Sequence, residues 1–161
     1  MAKITLGNRV GKNGRLGVGC SASVFDIDRE KILLVRRADN GKWAVPGGYM
    51  DSGESFSEAC EREVKEETGL DVRVKRLLGI YTSPHLLVEY EDGNKYQLTV
   101  LHFETEKIGG ALATSDETTE LAFFTENEIP DLDMNALDRK RALVSFSDIV
   151  ETVICDDFLL E

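Results

Sequence analysis

The sequence predicts a single α+β domain, an α/β/α sandwich in which a mixed β-sheet lies between helices. The chain has 161 residues, 42% of them hydrophobic, which is enough to bury one core. Apolar runs with the pattern of β-strands occur along most of its length. Residues 55–68 and 134–150 instead have helical spacing, and strands precede each of them.

The elements before the first helix are predicted to be strands and turns. Residues 1–16 are glycine-rich and basic, which favours a loose arm or an edge strand. GVGCSASVFDID, residues 17–28, and KILLVRRA, residues 31–38, predict the two strands of a hairpin. A turn at 39–42 and a short strand at 43–48 follow.

The first helix has recognisable ends. Ser55 and Glu58 have the spacing of a capping box, and Gly69 follows Thr68 where a glycine commonly ends a helix. After this helix the sequence predicts a strand at 71–83, a hairpin at 85–106 with its turn at Asp92–Asn94, and a strand at 120–130. A second helix is predicted at 134–150. We expect a domain at 17–150 and a C-terminal tail at 151–161.

Composition excludes several classes of function. The net charge of −11 disfavours a nucleic-acid-binding surface, which requires a basic patch. No apolar run has the length of a membrane span, and the first residues lack the apolar segment of a secretory signal. Three widely spaced cysteines, Cys20, Cys60 and Cys155, fit buried thiols in a reducing cytoplasm. A phosphorylated small molecule remains compatible with this charge if cations mediate the contact.

Acidic residues crowd one edge of the first helix. At about 100° per residue, the core-facing stripe consists of three residues, Phe56, Cys60 and Val64. Glu63, Glu66 and Glu67 lie at the edge of that stripe, whereas Glu58 and Glu61 point towards solvent. Carboxylates near a core repel strongly because solvent screens them poorly. A hard divalent cation, Mg²⁺ or Mn²⁺, removes this repulsion.

The loop before the helix favours the same chemistry. Gly47 and Gly48 permit a close approach of backbone to a ligand, and Glu54 ends the loop beside the helix. The guanidinium of Arg62 can fix a carboxylate in one orientation. Together these features indicate metal-assisted hydrolysis of a phosphoanhydride. A solvated acidic helix is the alternative that residue types alone leave open.

The complete pattern carries a family resemblance. Gly48 is followed after five residues by Glu54 and after seven more by residues 62–70, REVKEETGL. This resembles the Nudix box, G-x5-E-x7-R-E-U-x-E-E-x-G-U, with Val64 and Leu70 at the aliphatic positions U. Every fixed position is filled. The box covers residues 48–70, and the order of the flanking elements is similar to the Nudix (MutT-like) fold.

The resemblance implies a metal-dependent hydrolase that cleaves a nucleoside diphosphate linked to another moiety, a small-molecule substrate. Glu63 and Glu67 would be the main ligands of Mg²⁺ or Mn²⁺, and Glu66 would be a ligand or bind a metal-bound water. The carbonyl of Gly47 would complete the site, and Glu54 would be a secondary ligand or anchor the helix.

Catalytic roles are implied less uniquely. Arg62 would orient a box glutamate. In some family members a box glutamate is the general base, which makes Glu66 and Glu67 candidates. In others the base is a glutamate on a later loop, and here Glu117 and Glu120 have that position, although a polar turn explains them equally well.

The substrate is left open by the sequence. Arg36 and Arg37 end an apolar strand where one of them can contact phosphate, and Gly48 can leave room for it. The proline that follows the box in ADP-ribose hydrolases is offset, since Pro84 lies fourteen residues after it. Leu87 replaces the tyrosine of dinucleoside polyphosphate hydrolases. The sequence leaves three substrate classes open, which are nucleoside triphosphates (oxidised ones among them), ADP-ribose and related sugar nucleotides.

Two further hypotheses concern turnover and assembly. A binding module that has lost turnover is the alternative to an enzyme, but such proteins usually lack box carboxylates, and all are present here. The glycine-rich arm of residues 1–16 makes a homodimer a hypothesis.

Overall fold

The computed structural model describes residues 3–148 and 151–156. Its two helices are α1, Phe56–Thr68, and α2, Ala136–Val144. Short 3-10 helices lie at Val10–Asn13 and Ile129–Asp131. The strands are β1 Lys3–Leu6, β2 Arg15–Val24, β3 Lys31–Arg37, β4 Trp43–Ala44, β5 Gly47–Tyr49, β6 Leu70–Thr82, β7 Leu86–Glu89, β8 Lys95–Gly110, β9 Thr118–Thr125 and β10 Val153–Cys155.

Most strands form one mixed sheet. Five of them follow the order β1-β7-β8-β2-β5, while β6 pairs with β8 and with β10. The β2–β8 pair is parallel and continuous from Arg15–Tyr96 to Val24–Thr105, whereas β8 is antiparallel to β6 and β7. A smaller antiparallel sheet has the order β4-β3-β9.

The two helices cover opposite faces of the large sheet. Alternate residues of β2 pack into the core beneath α1, which includes Cys20, Ala22, Cys60 and Val64. The intervening serines face α2, since Arg141 Nη1 donates to Ser21 Oγ at 3.1 Å. The predicted α/β/α sandwich with a mixed sheet is confirmed.

Local predictions agree best with the structure. Helix α1 begins with the predicted capping box at Ser55 and Glu58, and Gly69 ends it in the left-handed conformation at φ 76°. The predicted hairpin at 85–106 is the β7–β8 pair. All three cysteines are free and buried.

The hairpin predicted from residues 17–28 and 31–38 is wrong. β2 belongs to the large sheet and β3 to the small one, and a single bridge between Phe25 and Ile32 joins them. Pairing with distant strands is the reason, because β2 lies along β8 and β3 along β9, and the turn between them is closed by the Asp26 carboxylate, which accepts the N–H groups of Glu30 and Lys31.

The chain ends were less predictable. Residues of the N-terminal arm form β1, an edge strand on β7 of the same chain. Part of the C-terminal tail forms β10, which pairs in parallel with β6. Helix α2 ends at Val144, earlier than the expected 150, and residues 149–150 lie outside the described residues. No helix among the residues described is both long and apolar enough to cross a membrane.

Candidate active site

Helix α1 sets one buried carboxylate and one half-buried carboxylate against the large sheet. Cys60 and Val64 are fully buried as predicted, and Glu67 is buried beside them at 3% exposure. Phe56, predicted to continue this stripe, is instead 46% exposed, because burial begins only at Ala59 in the next turn. Glu63 and Glu67 are therefore more deeply buried than Phe56.

Glu67 is held by the glycine loop. Its Oε2 accepts the backbone N–H of Gly47 at 2.8 Å. Burial raises the pKa of this carboxyl to about 7, and the negative charges of Glu63 and Glu117 add to the rise, while Gly47 N–H and Arg37 oppose it. A buried carboxylate among like charges is stabilised by a cation.

A side chain at either glycine would come into close contact with neighbouring atoms. A Cβ on Gly47, which has φ 154°, would lie 2.2 Å from the carbonyl oxygen of Cys20. A Cβ on Gly48 would lie 2.5 Å from Glu63 Oε2. The space that the sequence suggested for a ligand at Gly48 is thus filled on this side by the Glu63 carboxylate.

Arg62 joins the acidic groups. Its Nε and Nη2 donate to the two carboxylate oxygens of Glu54 at 2.6 and 3.0 Å, and Nη2 also donates to the Tyr49 carbonyl. Its Nη1 donates to Glu63 Oε1 at 2.8 Å and to Glu66 Oε2 at 3.2 Å. All five guanidinium N–H groups are used, so one side chain fixes three carboxylates relative to one another.

The three carboxylates differ in environment. Hydrogen bonds from Arg62, with one from the Asp51 N–H, lower the pKa of Glu54 to about 2. Burial raises the pKa of Glu63 although Arg62 opposes the shift. The side chain of Glu66 is 60% exposed and forms its described ion pair with Arg62.

The loop and strand that follow provide further charged groups. The charge of Glu117 acts on both Glu63 and Glu67. Glu120 lies opposite Arg36 in the β3–β9 register, and the two side chains pair at 3.2 Å. Glu120 is therefore paired with an arginine of the neighbouring strand, whereas the charge of Glu117 contributes to the raised pKa of Glu63 and Glu67.

A cavity of about 380 Å³ opens beside the glycine loop. Gly47, Gly48 and Arg37 lie at its polar end, where Arg37 is paired with Asp39 at 3.0 and 3.2 Å. Apolar side chains of β1, β7 and β8 line the part of the cavity towards the other edge of the sheet, which are Ile4, Leu6, Leu86, Val88, Leu98 and Val100, and Tyr49 and Tyr90 also line the cavity. This volume is in the range of small-molecule sites.

The donor set fits a hard divalent cation. Glu67 accepts the Gly47 N–H and the Glu63 carboxylate lies against Gly48, so both carboxylates lie at the glycine loop, and carboxylate oxygens are ligands that Mg²⁺ and Mn²⁺ prefer. Within residues 3–148 and 151–156, no group of three or more His, Cys, Asp or Glu side chains is already arranged to enclose a metal ion. Glu54, Glu63 and Glu66 are each paired with the Arg62 guanidinium.

Comparison with known proteins identifies the family. The NUDIX domain matches residues 17–145, most of the chain. The chain belongs to the Nudix family. An ADP-ribose pyrophosphatase of Methanocaldococcus jannaschii is 42% identical over 105 residues, which cover 63% of this chain and 59% of that protein. A putative 8-oxo-dGTP diphosphatase of Bacillus subtilis is 34% identical over 103 residues, covering 64% and 63%.

A solved Nudix relative has the same fold. The crystal structure of an ADP-ribose pyrophosphatase from Streptococcus suis aligns with a TM-score of 0.64 and 29% identity, covering 86% of this chain and 98% of that one. The chain spans about three fifths of the length of the curated relatives it matches.

The Nudix box predicted from sequence is assembled in three dimensions. Arg62 links three of its acidic residues, and the fourth, Glu67, is bound to Gly47. The two arginines at the end of β3 have different surroundings. Arg37 lines the cavity, whereas Arg36 donates to the Gly41 carbonyl at 2.9 Å and to Glu120.

Sequence reasoning missed much of the cavity wall. Asn135, Asp138 and Arg141 reach it from the cap, first turn and last turn of α2, and Ile4 and Leu6 reach it from the N-terminal arm. The composition of residues 1–16 allowed an edge strand, but no local pattern places that strand beside a cavity formed by distant elements.

Proposed function

We propose that this Nudix protein is a hydrolase, dependent on Mg²⁺ or Mn²⁺, that cleaves the diphosphate of a nucleoside diphosphate linked to another moiety. The observation that carries the proposal is the position of Glu63 and Glu67. Both carboxylates lie against Gly47–Gly48, and the same backbone lines the polar end of the cavity. A diphosphate at that end would lie beside the metal ligands.

The box residues have two proposed roles, metal binding and orientation of the metal ligands. Glu63, Glu67 and the Gly47 carbonyl would hold the metal, with Glu66 and Glu54 as outer ligands. A bound divalent cation would neutralise the diphosphate and make water more acidic. Arg62 holds Glu54, Glu63 and Glu66 in place, which keeps the ligand set oriented.

The reaction breaks one P–O bond of the diphosphate bridge. The oxygen of water bonds to one phosphorus, the bridging oxygen leaves with the other phosphate, and the water proton passes to a carboxylate. Glu117 and Glu120 are candidates for that base, and Glu120 would first have to leave its ion pair with Arg36. The box glutamates Glu66 and Glu67 remain candidates as well.

ADP-ribose is the first substrate to test. The proteins similar to this chain include two described as ADP-ribose pyrophosphatases. The charges of the cavity also favour a diphosphate over a triphosphate. Its two arginines are already paired, Arg37 with Asp39 and Arg141 with Asp138, so few cationic groups remain for a third phosphate. An oxidised nucleoside triphosphate is the second candidate, which the Bacillus subtilis relative favours.

A substrate screen tests the proposal. The purified chain is incubated with ADP-ribose, sugar nucleotides, oxidised and ordinary nucleoside triphosphates, and dinucleoside polyphosphates, with Mg²⁺, with Mn²⁺ and with a chelator. We expect AMP and ribose 5-phosphate from ADP-ribose, and no product with the chelator. Absence of hydrolysis across the panel with either metal would refute it, and binding without turnover would favour a binding module.

A further inference from the structure

We propose that the N-terminal arm forms one wall of the nucleobase site, through Ile4 and Leu6 of β1. This inference rests on the proposed function, because it names the part of the substrate that the cavity would receive. The arm lies outside residues 17–145, which match the NUDIX domain, so the family resemblance assigns it no role.

The two side chains share one face of the arm and that face meets the cavity. Residues two apart in a strand point the same way, and both Ile4 and Leu6 line the cavity. Their partners in the β1–β7 register, Val88 and Leu86, line it as well. With Leu98 and Val100 of β8, the sheet presents an apolar floor across three strands.

The arm is held in place by hydrogen bonds from three of its backbone N–H groups, in addition to the pairing of β1 with β7. Gly7 N–H donates to the His85 carbonyl at 3.1 Å, and the N–H of Arg9 donates to His85 Nδ1 at 3.0 Å. The N–H of Gly11 donates to the Pro84 carbonyl at 3.0 Å. The wall is therefore formed before a ligand arrives, which reduces the entropy lost on binding.

The apolar side chains of the arm are incompletely covered. Ile4 is 57% and Leu6 60% exposed, although the strand that carries them is paired. Leaving this area in contact with water costs free energy, and a planar ring placed against it would recover part of that cost. Tyr49 and Tyr90, whose hydroxyls are joined by a 2.7 Å hydrogen bond, border the same space.

The strand order places the arm and the glycine loop at opposite edges of the sheet. Four interstrand spacings of about 4.8 Å separate β1 from β5, a distance of about 19 Å. A base near Ile4 and Leu6 and phosphates directed towards Gly47–Gly48 would therefore occupy different parts of the cavity. The division of the cavity into a polar and an apolar end matches the division of that ligand into a charged and an aromatic part.

Equilibrium binding separates this inference from the hydrolytic proposal. The ligands are AMP, GMP, CMP and UMP, with ribose 5-phosphate as the ligand without a base, titrated by calorimetry in chelator so that no turnover is needed. The test protein is the double variant Ile4→Thr/Leu6→Thr, which keeps strand-forming residues. The control is Ile108→Thr/Leu112→Thr, which removes two side chains of similar exposure, 54% and 48%, away from the cavity.

We expect the tightest-binding mononucleotide to lose about 10-fold or more in affinity in the test variant, the scale on which apolar pockets discriminate. The control should bind as the parent does, and ribose 5-phosphate should bind all three proteins equally. Unchanged mononucleotide affinity, an equal loss for ribose 5-phosphate, or no mononucleotide binding by the parent would each overturn the proposal.

Two further outcomes are distinguishable. A change in sedimentation with unchanged ligand affinity would assign Ile4 and Leu6 to an interface between copies of this chain, and would also overturn it. If mononucleotides bind as expected but no diphosphate compound is hydrolysed, the hydrolytic function fails and the base site stands.

Discussion

Replacing Gly48 by alanine should displace the Glu63 carboxylate with little loss of fold stability, so it tests whether the position of Glu63 matters for activity. The new Cβ would lie 2.5, 2.6 and 2.7 Å from Oε2, Cδ and Oε1 of Glu63, where ordinary contact begins at 3.4 Å. The carboxylate must therefore move by about 0.8 Å. Because it is the far end of a flexible side chain, the move costs little stability, on the order of 1 kcal/mol or less.

The same displacement of the Glu63 carboxylate should lower the catalytic rate strongly. It disturbs the 2.8 Å bond between Arg62 Nη1 and Glu63 Oε1 and displaces a proposed metal ligand. Displacements of about 1 Å reduce rates by about 100-fold. We therefore expect kcat on ADP-ribose to fall about 100-fold in Gly48→Ala, with the midpoint of thermal unfolding within a few degrees of the parent.

Gly47→Ala and Gly109→Ala are the matched controls. At Gly47 the Cβ would meet backbone, 2.2 Å from the Cys20 carbonyl oxygen, so we expect a clear loss of thermal stability. At Gly109 the Cβ has an ordinary contact of 3.4 Å with Asp71, so neither quantity should change. The reasoning is refuted if Gly48→Ala keeps the parent's kcat, or if it loses as much stability as Gly47→Ala.

Three other predictions concern orientation, pH and backbone conformation. Arg62→Lys replaces five donors by one ammonium, so steady-state kinetics should show kcat/KM about 10- to 100-fold lower. Burial lowers the pKa of His102 to about 3. Below pH 6.5 the unfolded chain therefore binds one more proton than the folded chain. Denaturant titrations should show the free energy of unfolding falling by up to about 1.4 kcal/mol per pH unit between pH 6.5 and pH 3. The variant His102→Asn should lack this part of the pH dependence. Gly69→Ala, at φ 76° and with a Cβ 2.4 Å from the Ala111 carbonyl oxygen, should lose roughly 1–3 kcal/mol of stability in the same assay.

The parts of the site that the sequence predicted are those that lie close together along the chain. Ser55, Glu58 and Gly69 define the ends of α1 by local capping, which needs no knowledge of the rest of the fold. Helical spacing then sets Glu63 and Glu67 on the protein side and leaves Glu58 exposed. The burial of Glu63 and Glu67 was therefore predictable, but Glu61, expected to point towards solvent, is half-buried and accepts the Val74 N–H, and Glu66 is exposed.

The parts that failed depend on distant contacts. The strands at 17–28 and 31–38 are adjacent in sequence, but β2 pairs with β8 and β3 with β9, and neither partner is encoded near the turn. The cavity wall likewise combines the N-terminal arm with the start of α2, more than a hundred residues away. A local pattern predicts such elements but not their neighbours.

The role of Gly48 shows the same limit at one residue. Its position in the box was clear from sequence, and we expected the missing side chain to leave room for a ligand. The carboxylate that occupies this space comes from Glu63, fifteen residues later, after the chain has turned into α1. The glycine thus allows the helix and the loop to approach each other closely.

The measurement that tests the central claim most directly is kcat of Glu67→Gln at saturating Mg²⁺ and ADP-ribose, compared with Glu106→Gln, an exposed carboxylate of β8 paired with Lys75. If Glu67 is a metal ligand of a Nudix hydrolase, its variant should lose at least about 100-fold in kcat while the Glu106 variant matches the parent. Parental turnover by Glu67→Gln would contradict the account.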